Sequence, residues 1–579
     1  MANINLSRAY KTASFDGFPG IDRTARSAGG VGVADLKNFR IEADGSLSKR
    51  CGFAPLLELP EGKLRAIHAV SDTRIFALIE NKLYELDLTL NTCSLKATLT
   101  ESDTDACFFY YDNNLHLIDG TELYAYDGTE FKAVYGYVPL YGKEWHPSTK
   151  GEVYEPINAF SPCLRVSYRI DSTETETLEL PFEGESLQLA LVNGVAAGTY
   201  MFRIASSNHS QISMTKTYAV GDVIEIFYTP STEKIAEARA KAVAHTKAAT
   251  FGVGSGGAST SFLALYGGEN KSELYVSRYV ETDSFALAKS VYSDISPLYV
   301  VVEDAISTDQ GKNGITATCR SGSRLAVFTD DATYMLGVSN EHSMQLIPVS
   351  HTEGCSVKDG AIPFENSPVT FSGKEILIWT PSTLYDDEYI AKSISSPVSE
   401  LMTSVSSVGS AAYFKSKNEI WFYRSGDTRI WIYNTLHKCW YSFDGFTPDL
   451  MLELGEKMVF LSGTTLYGFS DELSYDVGES GEKPIRAMLQ SSLIDFGTIN
   501  RKKRLSRVFI SLSPEAEVLL AISDANGNEI ASFLRDKKGE AVGYCESRMP
   551  CKRSRYYSFN LSHSGGALKI YSMTLIAVK

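Results

Sequence analysis

Three glycines, Gly252, Gly254 and Gly257, have the spacing of the fingerprint that binds the pyrophosphate of a dinucleotide. That chemistry requires a strand before the glycines and a helix after them, because the pyrophosphate binds at the helix N-terminus. Here the sequence predicts a helix before the glycines and a strand after them. We therefore interpret the segment as a flexible glycine loop that follows a helix, and we predict no cofactor.

Motifs for nucleophilic, hydrolytic or metal chemistry are missing from the sequence. It contains no GxxxxGK[ST], HExxH or GxSxG, no aspartate box of the sialidase type, and nine histidines that are isolated from one another. The acidic pairs Asp330-Asp331 and Asp386-Asp387 fall at predicted turns, where solvated carboxylates are common. We predict that the chain is not an enzyme. A glycosidase would need two carboxylates facing each other across a cleft, and sequence alone does not show such a pair.

The densest cationic runs lie in residues 486–579, which hold 15 Lys and Arg against 8 Asp and Glu, a net charge of +7. The whole chain has a net charge of −15, so the remaining residues carry −22. An acidic chain without a helix-turn-helix, zinc-finger or RNP pattern is a poor candidate for gripping nucleic acid. The runs indicate either a solvated strand end or a docking surface for an acidic neighbour. The predicted docking residues are Arg501, Lys502, Lys503, Arg504, Arg507, Lys552, Arg553 and Arg555.

The nine cysteines are scattered and form no CxxC pair, so they predict neither a zinc site nor a thioredoxin-type centre. We interpret them as free thiols in a reducing compartment, and only Cys545 and Cys551 raise the question of a disulfide. The first residues lack the charged and apolar regions of a signal peptide, and no apolar run approaches the roughly 20 residues of a membrane-spanning helix. We expect a protein that is made in the cytoplasm, or assembled there into a larger object.

Short β-hairpins recur along the chain and are the elements that would carry these residues. Each has an apolar or alternating run, a polar turn and a second run, usually with a Leu-Tyr or similar aromatic step. Seven units occur, at residues 74–86, 107–126, 262–276, 324–336, 375–385, 419–433 and 458–469. The last five begin about 40 to 60 residues apart, close to the spacing of propeller blades. We predict an all-β fold with a β-propeller-like repeat body, and unrelated meanders in two sandwiches are the alternative.

Other regions flank or interrupt the repeats. The one predicted helix has Ser231 or Thr232 as its cap and ends at Thr250. The predicted domains are an N-terminal arm and hairpin in 1–63, the first propeller units in 64–136, an inserted β-sandwich and helix in 137–250, the remaining propeller units in 251–485, and a C-terminal β-sandwich in 486–579.

The predicted hairpin after residue 37 carries a resemblance to a known family. The run Asn38-Phe39-Arg40-Ile41-Glu42-Ala43-Asp44-Gly45-Ser46-Leu47-Ser48-Lys49-Arg50-Cys51-Gly52-Phe53 resembles the N-x-R…x-G-x-L-x-K-R-P-G opening of the tail nozzle, or tail tubular protein B, of short-tailed bacteriophages. Cys51 stands where proline is usual. Residues 262–285, with Leu274-Tyr275-Val276-Ser277-Arg278, and residues 430–441 follow in the family's order, while the C-terminal sandwich is not accounted for.

The resemblance implies a structural role in a virion. Nozzle proteins form a ring, generally sixfold, that continues the DNA channel at the distal end of the tail and helps retain and then release the genome. It therefore implies a homo-oligomer in the virion tail, assembled in the host cytoplasm, with tail adaptor or portal-side proteins and tail fibres as partners. An acidic body fits transient passage of double-stranded DNA, because negative walls repel phosphates. Two alternatives stay open: a glycan-binding or glycan-cleaving propeller at the host cell surface, and another phage neck, stopper or baseplate component.

Overall fold

The structure of the chain is a computed structural model, and its regular structure is almost entirely β. It describes residues 10–23, 32–231, 233–252, 257–259, 261–308, 314–340, 343–373, 375–382, 389–402, 406–497, 500–512, 518–524, 526–535, 543–548 and 553–578. None of the helices in these ranges is both long enough and apolar enough to cross a membrane.

Seven four-stranded antiparallel blades form in the described residues, one for each hairpin unit predicted from the sequence. Blade 1 has the strands Leu64–Ala69, Arg74–Ile79, Lys82–Asp87 and Thr92–Thr98. Blade 2 has Cys107–Tyr111, Asn114–Ile118, Leu123–Tyr126 and Phe131–Ala133. Blade 3 has Lys247–Phe251, Phe262–Tyr266, Glu273–Val276 and Ile306–Ser307. Blade 4 has Ala317–Ser321, Arg324–Phe328, Thr333–Asn340 and Ser343–Ser350. Blade 5 has Ile362–Phe364, Ser367–Ser372, Glu375–Pro381 and Tyr389–Ser393. Blade 6 has Gly409–Phe414, Glu419–Arg424, Ile430–Asn434 and Cys439–Phe443. Blade 7 has Leu450–Leu454, Lys457–Ser462, Thr465–Ser470 and, from the N-terminal segment, Gly52–Glu58.

The blades form a closed ring. The first strands of successive blades lie side by side from blade 1 to blade 7. The ring closes through an apolar core shared by Ile75 and Leu86 of blade 1 with Val459 and Leu461 of blade 7. Closure packs the faces of blades 1 and 7 against each other, which an open row of blades would leave exposed. The predicted propeller is confirmed, and the alternative of unrelated meanders is wrong.

An inserted β-domain lies between blades 2 and 3, as predicted, and it has two sheets. One sheet contains, in order, Leu140–Trp145, Leu164–Arg169, Val223–Pro230, Gly184–Val192 and Val195–Ala197, and the other contains Thr177–Glu179, Asn208–Met214 and Phe202–Ala205. Trp145, Tyr168 and Ile226 are buried in its core. A second apolar cluster, which includes Tyr137, Phe227 and Tyr299, packs the domain against the long excursion of blade 3.

The described residues contain two α-helices, so the prediction of a single helix is wrong. Helix α1, Lys234–Val243, ends before the predicted Thr250, because Lys247–Phe251 pairs with Phe262–Tyr266 as the first strand of blade 3. Its N-cap residue is Glu233 rather than Ser231, and Thr232 lies outside the described residues. Helix α2, Thr282–Val291, was not expected from the sequence. Short 3-10 turns occupy Thr199–Met201, Val302–Asp304, Ser396–Val398 and Lys415–Lys417.

The C-terminal sandwich is not self-contained, which corrects the predicted boundaries of 1–63 and 486–579. One of its sheets contains Phe39–Ile41, Leu47–Lys49, Lys569–Val578, Arg504–Leu512 and Gly543–Arg548, with Tyr10–Phe15 paired to Lys569–Val578. The other contains Val33–Lys37, Ala487–Ser491, Tyr557–His563, Val518–Asp524 and Glu529–Arg535. The N-terminal segment is therefore no arm: its short runs bury an apolar face only by joining these sheets and blade 7.

The propeller and the sandwich are fused through the N-terminal segment. Val33–Lys37 lies between Cys439–Phe443 of blade 6 and Ala487–Ser491 of the sandwich, so one sheet of nine strands runs through both bodies. A separate hairpin, Tyr475–Gly478 with Gly481–Pro484, connects blade 7 to the sandwich. The predicted hairpin at Asp44-Gly45 is confirmed, and Gly45 has the positive φ of 78° that its turn requires.

Candidate functional site

The two basic runs meet on the C-terminal sandwich. The backbone N–H of Lys503 donates to the carbonyl of Ser554 at 2.8 Å, and the N–H of Ser554 donates to the carbonyl of Lys503 at 3.0 Å. This antiparallel bridge places residues 501–504 beside residues 553–555. The cations exposed there form what we call the basic surface: Arg501, Lys502, Arg504, Arg507, Arg553 and Arg555.

Lys503 is not part of the basic surface, so that part of the docking prediction is wrong. The residue is fully buried, and its Nζ donates to the carbonyl of Asp495 at 2.5 Å. The hydroxyl of Tyr557 donates to the Lys503 carbonyl at 2.6 Å. Lys503 is thus a structural cation inside the sandwich. Lys552 lies outside the described residues.

A second group of functional candidates comes from the hairpin motif, which we call the hairpin junction: Asn38, Arg40, Lys49, Arg50 and Gly52. Arg40 donates to both carboxylate oxygens of Glu419 in blade 6, at 2.6 and 3.2 Å. Tyr441 and Trp421 donate to the same carboxylate, at 2.5 and 2.8 Å. Burial by itself lowers the pKa of Arg40, but the neighbouring Glu419 carboxylate raises it overall, so the guanidinium is charged.

Arg50 forms the second buried ion pair of the hairpin junction. It donates to both oxygens of Asp476 at 2.7 and 2.6 Å and to the carbonyl of Asp444 at 2.8 Å. Its Nε donates to Oδ1 of Asn38 at 2.9 Å. The guanidinium also lies over the ring of Phe446. A planar group with this many fixed acceptors cannot be replaced by lysine without loss of hydrogen bonds.

The remaining residues of the hairpin junction fix the backbone. Asn38 has a left-handed φ of 56°, and its amide donates to Asp444 at 2.5 Å. Lys49 donates to the carbonyls of Ser474, Gly565 and Gly566. A Cβ on Gly52 would lie 1.8 Å from the carbonyl oxygen of Tyr475, so only glycine fits. The hairpin junction therefore fixes the hairpin to blade 6, to the sandwich and to the hairpin that connects blade 7 with the sandwich.

A third feature, which sequence reasoning missed, is a cleft of about 930 Å³ between the inserted domain, blade 3 and helix α2. We call it the interdomain cleft. Its polar and aromatic lining residues are Lys143, Tyr154, Glu155, Arg165, Ser277, Arg278, Tyr279, Glu281, Asp283, Ser284, Tyr299 and Asp304, and its apolar ones include Leu140, Val276, Leu287, Ile306 and Met344. These residues come from distant parts of the chain, so no local motif marks them.

Glu155 is the most buried carboxyl group of the interdomain cleft. Its Oε2 accepts hydrogen bonds from the Tyr137 hydroxyl at 3.1 Å and from the backbone N–H of Leu140. Burial raises the pKa of Glu155, and the nearby Glu281 carboxylate raises it further, while these hydrogen bonds and Arg165 oppose the shift. The carboxyl group therefore keeps its proton at higher pH than an exposed glutamate.

Two arginines of the interdomain cleft are paired with carboxylates, and its lysine lies over an aromatic ring. Arg278 donates to Asp304 at 2.5 Å, and Arg165 donates to Glu225, just outside the lining, at 2.7 Å. The amine of Lys143 lies 4.6 Å from the ring centre of Tyr154, which is 56% exposed. These contacts fix hydrogen-bonding groups and an aromatic face around the opening.

The motifs dismissed from the sequence stay without a site. Gly252 and Gly257 lie between two strands of blade 3, with no helix directly after them, and Gly254 is outside the described residues. The strand Lys247–Phe251, and not a helix, comes directly before them. Asp330 and Asp331 lie in the turn before Thr333–Asn340, and Asp386 and Asp387 are outside the described residues.

Metal ligands and cysteines add no further site. In the ranges that the structure describes, no three His, Cys, Asp or Glu residues are grouped to hold a metal ion. The cysteines with free thiols there are Cys51, Cys93, Cys107, Cys163, Cys319, Cys355 and Cys439. Cys551 lies outside the described residues, so the question of a bridge to Cys545 stays a prediction.

Comparison with known proteins yields similarity in structure only. No protein-family profile and no curated protein matches the chain. The β-propeller domain of Cps50 (Swd1) from Myceliophteria thermophila is 8% identical, with 71% of this chain and 98% of that chain covered and a TM-score of 0.35. The WD40 domain of SCAP from fission yeast is 10% identical, with 72% of this chain and 98% of that chain covered and a TM-score of 0.29. YCF48 bound to D1 peptide is 9% identical, with 72% of this chain and 95% of that chain covered and a TM-score of 0.31. The fold assignment rests on the seven blades and their closure.

Proposed function

We propose that this chain is a structural protein of a bacteriophage tail, a nozzle subunit of the tail tubular protein B kind. The observation that carries the proposal is the hairpin junction. The five residues of the hairpin junction, which belong to the run that resembles the nozzle family, are buried and joined to three parts of the molecule, among them Arg40 paired with Glu419 and Arg50 paired with Asp476. Such a junction makes the propeller and the sandwich one rigid body.

A rigid body of this kind suits a part that transmits load. Nine hydrogen-bonded strands run from blade 6 into the sandwich, and the paired charges of the hairpin junction resist sliding of one body against the other. Buried pairs favour one register, because any shift leaves a charge without its partner. The role is mechanical and requires neither a catalytic residue nor a cofactor.

The proposed assembly is a homo-oligomeric ring, sixfold by resemblance, in the virion tail. In it, the basic surface of one subunit docks on an acidic surface of a neighbour, because residues 486–579 carry +7 while the whole chain carries −15. Double-stranded DNA passes the ring only transiently, and the acidic residues that face it repel phosphates. Tail adaptor or portal-side proteins and tail fibres are its proposed neighbours.

The proposal is tested by locating the chain in purified particles. We expect cryo-electron microscopy to place it in a ring at the distal end of a short tail, and native mass measurement of the recombinant full chain to give a closed oligomer. A position at the neck or in a long-tail baseplate would assign another structural role. A monomer that is absent from virions would refute a virion role altogether.

A further inference from the structure

We propose that the interdomain cleft is a binding site for a neutral oligosaccharide. The proposal goes beyond the structural role above and does not depend on it. Three observations carry it: the size and position of the cleft, the balance of its charges, and the exposed aromatic face at its opening.

The cleft has the size and the position of a ligand-binding site. About 930 Å³ lies at the upper end of the roughly 300–1,000 Å³ typical of ligand pockets, so the cleft accommodates more than a single sugar ring. It is bounded by two bodies, the inserted domain and blade 3, and ligand sites occur preferentially at such boundaries. The apolar cluster with Tyr137, Phe227 and Tyr299 fixes the two bodies against each other, so the cleft is preformed.

The charges of the cleft select a neutral ligand. Three cations, Lys143, Arg165 and Arg278, line the cleft together with four carboxyl groups, but Arg165 and Arg278 are already paired with Glu225 and Asp304. An anionic ligand would therefore meet little unpaired positive charge. The lining contains both polar and apolar groups, which fits a molecule with many hydroxyl groups and also C–H faces, rather than a lipid.

The paired side chains supply the hydrogen bonds that hydroxyl groups need. In the Arg278–Asp304 pair, Nε of Arg278 donates to Oδ2 of Asp304, so the guanidinium and the carboxylate bring further donors and acceptors to the lining. Ser284 and Asp283 in the first turn of helix α2 add a hydroxyl group and a carboxylate. Sugars carry hydroxyl groups that donate and accept at once, which this mixed set recognises.

Tyr154 supplies the stacking surface. Its ring is more than half exposed at the opening of the cleft, and the Lys143 amine holds one face of it. The electron-rich ring face attracts the weakly positive C–H groups of a pyranose. An exposed aromatic ring fixed in this way adds little to the stability of the fold, but its accessible face suits stacking on a sugar ring.

Binding of the full chain to an array of oligosaccharides, with calorimetry on the best ligand, tests the proposal. The array carries neutral gluco-, galacto-, manno-, xylo- and N-acetylglucosamine oligomers, and anionic oligosaccharides for comparison. The variants are Tyr154→Ala and Asp283→Ala in the cleft. The matched control is Tyr200→Ala, which removes an exposed tyrosine elsewhere on the inserted domain.

We expect neutral oligomers to bind, with affinity about tenfold lower in Tyr154→Ala, reduced in Asp283→Ala and unchanged in Tyr200→Ala. Tyr154 is exposed, so its loss leaves the thermal unfolding of the chain unchanged and the binding loss is not a folding defect. The proposal is overturned if no neutral oligomer binds, if only anionic ones bind, or if both cleft variants bind like the wild type.

Discussion

Arg40 and Glu419 are paired where almost no water reaches either side chain, with exposed fractions of 8% and 0%. Removing charges from water costs several kcal/mol, and the pair regains that free energy only through complete hydrogen bonding. Glu419 meets this condition, because Arg40, Tyr441 and Trp421 all donate to its carboxylate. Loss of one partner of the pair therefore lowers the free energy of unfolding far more than loss of both partners.

We expect Arg40→Met to lower the free energy of unfolding by about 3–5 kcal/mol, because it leaves the Glu419 carboxylate buried without its cation. Urea denaturation followed by tryptophan fluorescence measures the loss. Arg74→Met is the matched control: Arg74 pairs with Glu85 but is 43% exposed, so the expected loss is below about 1 kcal/mol. Equal losses in the two variants would contradict a special role for the buried pair.

His116 in blade 2 gives the chain a predictable acid sensitivity. It is 3% exposed, its Nδ1–H donates to the carbonyl of Asn114 at 3.0 Å, and burial lowers its pKa to about 4. The unfolded chain takes up the proton near pH 6.5, so it binds more protons than the folded chain between pH 6.5 and 4. Stability must therefore fall as the pH falls through this window, by up to about 3 kcal/mol.

Urea denaturation at pH 7 and pH 4.5 measures this contribution. His116→Gln keeps a polar group but does not titrate, so we expect its stability to change less between the two pH values than that of the wild type. His209→Gln, at an exposed position of the inserted domain, is the control and keeps the wild-type pH dependence. If His116→Gln loses as much stability on acidification as the wild type, the buried histidine is not the cause.

At this scale the sequence predicted the positions of important residues better than their roles. The hairpin motif singled out Asn38, Arg40 and Arg50, but their partners Asp444, Glu419 and Asp476 are hundreds of positions away, so the ion pairs were invisible. Lys503 was misjudged for a different reason: its acceptor, the carbonyl of Asp495, is near in sequence, but the burial of its side chain depends on the folded sandwich. The interdomain cleft joins three regions and has no local pattern at all.

Among the elements, the blades were predictable because each repeats a local signal. A blade needs strands of alternating or apolar residues and turns whose residues accept unusual backbone angles. Both signals lie in residues that are neighbours in the sequence. Helix α2 lacked such a signal, because its helicity depends on packing against the inserted domain.

The outer strand of blade 7 was not predictable either. Gly52–Glu58 contains Pro55, which has no N–H for a sheet ladder and therefore argues against a strand. The structure tolerates it because this strand is the outermost of its blade, and the register shifts between Leu466 and Tyr467, the partner of Pro55. Which edge the segment joins depends on the closure of the whole ring.

We expect Gly52→Ala to disturb this closing strand. Its Cβ would meet the Tyr475 carbonyl at 1.8 Å, so the hairpin at Tyr475–Pro484 or the strand itself must move, at a cost of about 1–3 kcal/mol. Hydrogen exchange measured by mass spectrometry should show faster exchange in residues 52–58 and 465–470. Gly17→Ala, where nothing lies within 4 Å of the added Cβ, is the control. Slow exchange in both variants would contradict the role of Gly52 in closure.

On the scale of the whole molecule, the acidic propeller and the basic sandwich are joined rigidly and not through a linker. Val33–Lys37 joins the acidic propeller to the basic sandwich within one sheet, so the basic surface is held at a fixed position relative to the blades. A fixed separation of opposite charges favours head-to-tail contact between copies, because each copy offers one of the two complementary surfaces. Closure of such contacts gives a ring when the rotation between copies divides a full turn.

Charge reversal tests whether the basic surface makes these contacts. We expect the triple variant Arg501→Glu, Lys502→Glu and Arg553→Glu to remain folded but to assemble at least about a hundredfold less tightly, because three attractive contacts become repulsive. A control triple, Lys82→Glu, Lys150→Glu and Lys457→Glu, changes the net charge equally at exposed sites on blade 1, the inserted domain and blade 7. Mass photometry at increasing dilution gives the assembly constants of both.

Salt dependence provides the second measurement for the same surface. Screening shortens the reach of exposed charges from about 8 Å at 0.15 M salt to about 3 Å at 1 M, so wild-type assembly through the basic surface must weaken as salt rises. The charge-reversal triple should lose this dependence together with assembly, while the control triple keeps both. If the two triples assemble equally well, or if wild-type assembly is indifferent to salt, the proposed contact between copies through the basic surface is wrong.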